Sequence, residues 1–199
     1  LTLLGGLGDV DSAEPSFALW KLGRMAANSN ELTSIFNAGL SDLDVRLRQS
    51  DIAQEFIEHF DNFLNVFGSR GPNEWETACE TWGTNPASVL TLIDRMRLTD
   101  EENSPSVRSQ ELSKKREEAT RNARRELKGL GSWLFEKALH SSILFSQARE
   151  RSKTTIVDLI HVARLITREL AIRTAEQRNN AELIDLWFIL ENELDEFID

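Results

Sequence analysis

The chain has 199 residues and a formal net charge of −10, with 40% apolar and 28% charged residues. That balance suffices to bury a core and excludes a largely disordered chain, while the acidity argues against nucleic-acid or acidic-membrane binding, which needs a basic surface. A lone cysteine, Cys79, excludes an internal disulfide and suits a reducing compartment; no apolar run reaches the roughly 18 residues of a membrane span, so a soluble, cytoplasmic protein is expected.

Helix is favoured throughout, because only 4 Pro and 10 Gly punctuate the chain and Leu, Ala, Glu and Arg recur. The opening LTLLGGLGDVDSAEPS reads as a loop, with Asp11 or Ser12 as a cap and Pro15 in the first turn of a helix reaching about Asn28. Phe17, Leu19, Trp20, Leu22 and Met25 supply its apolar surface. A short helix from Glu31 is stopped at Gly39. Asp51 is expected to cap the next, in which Ile52, Phe56, Phe60, Phe63 and Phe67 recur at steps of 4, 4, 3 and 4. That is one helical stripe ending at Gly68, and at this spacing it reads as core rather than as a ligand cavity.

Residues 68–85, GSRGPNEWETACETWGTN, keep no period and mix Gly, Trp and charge. A long irregular stretch of this kind is a candidate functional loop. Asn85 then caps a helix with Pro86 at its first position, carrying Val89, Leu90, Leu92, Ile93 and Met96. Residues 99–107 read as a mobile linker by composition. Beyond them, 107–128 is charged with sparse apolar residues, as in a partly exposed helix or one arm of a hairpin bent at Gly129 or Gly131.

From Ser132 the chain turns apolar, with Leu134, Ala138, Phe145 and Ala148 on one side and Phe135, Leu139 and Ile143 beside them. A break near Ser152 is expected before a further helix. In that helix Ile156, Leu159, Ile160, Ala163, Ile166 and Leu170 form a core-facing stripe ending near Asn179 and Asn180. Residues 186–190, Leu-Trp-Phe-Ile-Leu, read as a short buried strand or a docking segment. Basic 108–128 and acidic 176–199 are two solvated faces that can meet in the fold. Short connections between helices predict an all-α fold: an irregular antiparallel helical bundle with one long hairpin, a single domain over residues 1–199. A start at Leu1 with no signal pattern fits a piece excised from a longer multidomain chain.

Known catalytic patterns are missing. There is no GxxxxGK[ST] phosphate loop, no HExxH and no GxSxG, and GGLGDV lacks dinucleotide-binding spacing. His59, His140 and His161 lie far apart, which favours structural or surface roles. Two constellations remain. Arg70, Glu74 and Trp75 sit together in the irregular loop, where an arginine fork grips an anion or clamps the loop through an ion pair. Arg149, Glu150 and Lys153 sit in a second cluster, with Arg149 and Lys153 four apart on one helical face. These two cations either hold an anion or close salt bridges to Glu74 or Glu150.

GSRGPNEWE after a helix, followed by TWGTNP, resembles the "yG-hRG-x-x-E … W-x-x-x-P" pattern in the helical middle region of phosphoenolpyruvate-utilising phosphotransferases. That group includes phosphoenolpyruvate synthase-like proteins and rifampicin phosphotransferase. Arg149-Glu150-Arg151-Ser152-Lys153 resembles the region's R-E-x-s-[RK] junction, and Asp185-Leu186-Trp187-Phe188-Ile189-Leu190 with Glu193-Leu194 resembles its ending. The three motifs occur in family order over roughly residues 5–199, with Ser69 where His is common and Trp187 where Phe is usual.

The resemblance implies a helical linker or acceptor-binding domain of an ATP-dependent dikinase-type phosphotransferase, not catalytic in isolation. Arg70, Glu74 and Trp75 would shape the substrate pocket, and Arg149 and Lys153 would steer anionic groups, with Glu150 beside them among the substrate-binding residues. ATP and magnesium are expected in an ATP-grasp domain, and a phosphohistidine on a swivelling domain, of the same parent. A small-molecule acceptor is the remaining partner. The alternative is a stand-alone helical scaffold or protein-interaction module.

Overall fold

The computed structural model describes residues 2–5, 7 and 13–178, which contain seven α-helices and no strand. In chain order they are α1 (Glu14–Asn28), α2 (Asn30–Asn37), α3 (Leu43–Arg48), α4 (Gln54–Phe67), α5 (Pro86–Arg97), α6 (Pro105–Glu126) and α7 (Leu130–Arg178). The all-α expectation holds. Helix boundaries fall where backbone chemistry places them. Ser29, Asn85 and Ser104 accept N-cap hydrogen bonds from Leu32, Ser88 and Val107. Pro15, Pro86 and Pro105 occupy first turns. Gly129, at φ +57°, turns the chain between α6 and α7. The expected caps Asp11 and Ser12, the ending at Asn179–Asn180, the acidic 176–199 stretch beyond Arg178 and the 186–190 run lie outside the described residues.

The core belongs to α1–α5. Leu19, Leu22 and Ala26 of α1 meet Phe36, Leu43, Leu47, Phe56, Phe60, Phe63, Val89, Leu90 and Ile93, all buried. Phe56 sits edge-on to Phe36 at 5.8 Å and stacks on Phe60 at 6.3 Å. Each fully buried phenylalanine stabilises the bundle by roughly 1.5–3 kcal/mol through the apolar surface it removes from water. α1 and α5 approach closely at Gly23, where a Cβ would lie 2.7 Å from the Met96 Cβ. Next to it Arg24 donates to the Met96 and Arg97 carbonyls at 2.6 and 2.7 Å. A cation thus caps the C-terminus of α5, where the helix dipole favours it.

Three expectations need correction, and one helix was not expected. Asp51 is no helix cap: Asp51–Ala53 form a 3-10 turn, α4 begins at Gln54, and Ile52 lies outside at 63% exposure. The short helix α3, which carries buried Leu43 and Leu47, has too few residues to show a period. No break occurs at Ser152, because residues 132–178 contain neither Gly nor Pro and a serine alone does not interrupt a helix. α7 therefore runs unbroken for 49 residues, about 74 Å. Finally, the stripe of Ile156, Leu159, Ile160, Ala163, Ile166 and Leu170 is no core face: Leu159 and Ile166 are 66% and 67% exposed, and only Ile160 and Leu170 are half-buried. α7 docks instead through the neighbouring face, where Val157, Arg164 and Ala171 are buried at intervals of seven.

α6 and α7 form the expected hairpin. Arg124 holds Glu136 across it through two hydrogen bonds of 2.6 and 2.9 Å. Leu139 and Ile143 face Thr120 of α6, whereas Leu134 and Phe145 point to solvent.

Candidate functional site

Residues 68–85 remain irregular, yet they are tightly held. The two ends of the loop cross at Gly68 and Gly83. The Gly83 amide donates to the Gly68 carbonyl at 2.8 Å, and the Trp82 amide to Arg70 at 2.8 Å. A Cβ on Gly83 would lie 3.1 Å from the Gly68 oxygen and 3.3 Å from its Cα, so neither strand of the crossing has room for a side chain. Trp82 anchors this crossing to the core, its ring 5.5 Å from Phe63. Thr84 closes the end of the loop by accepting from the Thr81 amide at 2.8 Å and donating to the Thr81 carbonyl at 3.2 Å.

The loop then meets α7 through charge. Arg70 pairs with Glu74 at 3.2 Å, both side chains nearly buried. The same Glu74 oxygen takes Lys153 of α7 at 2.7 Å, and Arg70 also donates to Thr154 Oγ1 at 3.3 Å. About three turns further along α7, fully buried Arg164 donates to the carbonyls of Glu74 and Glu76, both at 2.9 Å. Its other Nη lies 3.2 Å from His161 Nδ1, which also stands 3.3 Å from the Thr81 hydroxyl. A guanidinium can only donate, so Nδ1 is the acceptor and the imidazole proton sits on Nε2. Burial, then the Arg164 charge, lowers the pKa of His161, with Asp158 acting the other way. Burial likewise lowers that of Arg164.

Of the six residues singled out in the sequence, the structure brings Arg70, Glu74 and Lys153 together. Glu74 neutralises part of the positive charge, so the cluster is first a clamp between loop and helix. Arg149 turns away to pair with Glu150 at 2.7 Å, its own side chain 79% exposed against 14% for Glu150. Trp75 stands 52% exposed on the loop beside Glu74. Trp75 and the partly exposed Lys153 are accessible beside this cluster, and Arg149 is exposed further back on α7.

Thr154, His161, Arg164 and Thr81 were missed as parts of the site. Thr81 opens the TWGTNP stretch, but no short motif joins it to His161, or Thr154 and Arg164 to their loop partners, which lie 80 or more residues away in sequence. A hint was available in Arg164, a charge on a helix otherwise rich in apolar positions. His59 and His140 are exposed. Among the described residues no group of His, Cys, Asp and Glu is placed to hold a metal ion, and no helix is long and apolar enough to cross a membrane.

The sequence profile of the rifampicin phosphotransferase fourth domain matches residues 1–151. The match takes in the whole bundle, the irregular loop and the Arg149–Glu150 pair, and ends two residues before Lys153. No curated protein matches the chain.

Proposed function

The chain belongs to the rifampicin phosphotransferase fourth-domain family, and we propose that it serves a phosphotransferase parent as the helical domain that binds the acceptor and spaces the catalytic domains. The family match over residues 1–151 carries this reading. Phosphoryl transfer needs positioned charge and metal. In this reading ATP and magnesium bind an ATP-grasp domain of the parent, a swivelling domain carries the phosphohistidine, and the cytoplasm is where it works. The fourth domain contributes position. Trp75 offers an apolar face to the acceptor, while Arg149 and Lys153 attract its anionic groups. Glu74, itself paired with Arg70 at 3.2 Å, holds Lys153 at 2.7 Å, and Glu150 holds Arg149 at 2.7 Å, so the two cations are fixed in place.

Backbone amide shifts on titration with pyruvate, phosphoenolpyruvate, a rifamycin and ATP with magnesium test this. One acceptor is expected to move the amides around Trp75 and Lys153, with ATP moving none. Shifts there with ATP alone, or a full-length parent that forms no phosphohistidine, would remove the reading. The alternative of an interaction module draws on the exposed Leu159 and Ile166 of α7. It predicts that none of the four small molecules moves the loop amides.

A further inference from the structure

At the opposite end of α5 from the irregular loop, α1, α5 and α6 leave an open cavity of about 530 Å³. α5 has 12 residues, which separates the two regions by about 18 Å. The cavity wall is apolar on one side, with Phe17 of α1, Met96 of α5 and Leu112 of α6. Phe17 and Leu112 are 40% and 47% exposed, so each turns unburied apolar surface toward this space. Ser16 and Asn103 add polar groups.

Arg108 is the one charged residue among the described lining residues, and none of them is acidic, although the whole chain carries −10. Its guanidinium forms no ion pair or side-chain hydrogen bond with the other described residues. The first turn of α6, just before it, likewise holds no acid. The positive end of that helix adds to the Arg108 charge, with Asp100, Glu101 and Glu102 lying before its Ser104 cap. An apolar wall, few polar groups and one unspent cation in a space of this size are the features of a small-molecule site.

The geometry points to a binding site for an amphiphilic organic monoanion: a carboxylate or sulfonate at Arg108 on a flat apolar body that covers Phe17, Met96 and Leu112. This site is separate from the acceptor surface around Trp75 and Lys153 and does not depend on it. Covering Phe17 and Leu112 removes apolar area from water. A planar guanidinium pairs with either oxyanion through two parallel hydrogen bonds.

The probe is 1-anilinonaphthalene-8-sulfonate, titrated into the full 199-residue chain and read by fluorescence. One saturable site is expected. Arg108→Gln weakens it about tenfold, the value of one charge-assisted hydrogen bond. Leu112→Glu removes binding, and Phe17→Gln, a second apolar-wall variant, weakens it should Leu112→Glu lose helicity. Lys153→Ala and Ile166→Gln leave the affinity unchanged. Equal affinity in Arg108→Gln and wild type, or loss of binding in Ile166→Gln, overturns the proposal. The second result would put the dye on the exposed face of α7. Failure of this site leaves the acceptor reading untouched, since that rests on different amides.

Discussion

The α1–α5 bundle and the α6–α7 hairpin are both helical, but they bury very different material. The bundle closes over fifteen buried apolar residues that touch one another. The hairpin buries Thr120, Val157, Arg164 and Ala171. α7 is tied to the irregular loop by ion pairs and carbonyl contacts, while α6 lies against α1. A hydrophobic stripe thus meant core in α4 and did not mean core in α7. The difference lies in what stands opposite. α4 is surrounded by α1, α2, α3 and the loop, whereas α7 outruns its partners and shows its stripe to solvent.

The comparison breaks first in the bundle. Phe60 is fully buried and stacks on Phe56. Phe60→Ala removes an aromatic ring from a closed core and is expected to cost about 3–5 kcal/mol. Chemical denaturation checks it through the shift in midpoint at constant slope. A loss below about 1 kcal/mol, the usual range for a surface site, would mean that the bundle is no tighter than the hairpin.

Next comes the polar lock. Arg164→Met keeps the length of the side chain but leaves the Glu74 and Glu76 carbonyls without their donor. The expected cost is about 1–3 kcal/mol, the penalty for an unsatisfied buried group. Hydrogen exchange should also quicken at the Trp82 and Gly83 amides, which close the loop. If exchange there is unchanged, the loop is held by Trp82 and the glycine crossing alone.

A smaller effect is set by pH. His161 titrates below its usual 6.5 in the folded chain, through burial and the Arg164 charge. The unfolded chain therefore binds the proton more readily, so this contribution is complete above about 6.5 and is lost as pH falls toward the folded value. His161→Gln, whose amide oxygen can still accept from Arg164, should flatten the stability curve between pH 7 and 5 relative to wild type. Parallel curves for the two proteins would count against the Nδ1 contact. Thr81 and Asp158 are the other named neighbours in this balance.

These cases also show how far the residues spoke for themselves. The Phe stripe, the Asn85–Pro86 helix start and the Gly129 turn were legible because each rests on local chemistry: period, cap and positive φ. α3 was not legible, being six residues long. Within the site, Arg70 and Glu74 were visible as neighbours four apart, and the ion pair offered for Lys153 is the one that forms, at 2.7 Å to Glu74. Arg164 and Thr81 remained hidden, because only tertiary structure brings residues 76 and 164 together.

The smallest expected effect is the sharpest test of the comparison. Ile166 sits in a stripe whose spacing suits a core, yet it is 67% exposed. Ile166→Gln keeps helix propensity and removes apolar surface that already faces water, so stability should change by no more than about 0.5 kcal/mol. The same exchange at Phe60 would place a polar group in a closed core. A cost above about 1 kcal/mol at Ile166 would show that this face is covered in solution, and that the contrast between bundle and hairpin reflects a missing neighbour. A null effect would show that α7 is held by its docked face alone: Val157, Arg164 and Ala171 on one side, with the stripe left available.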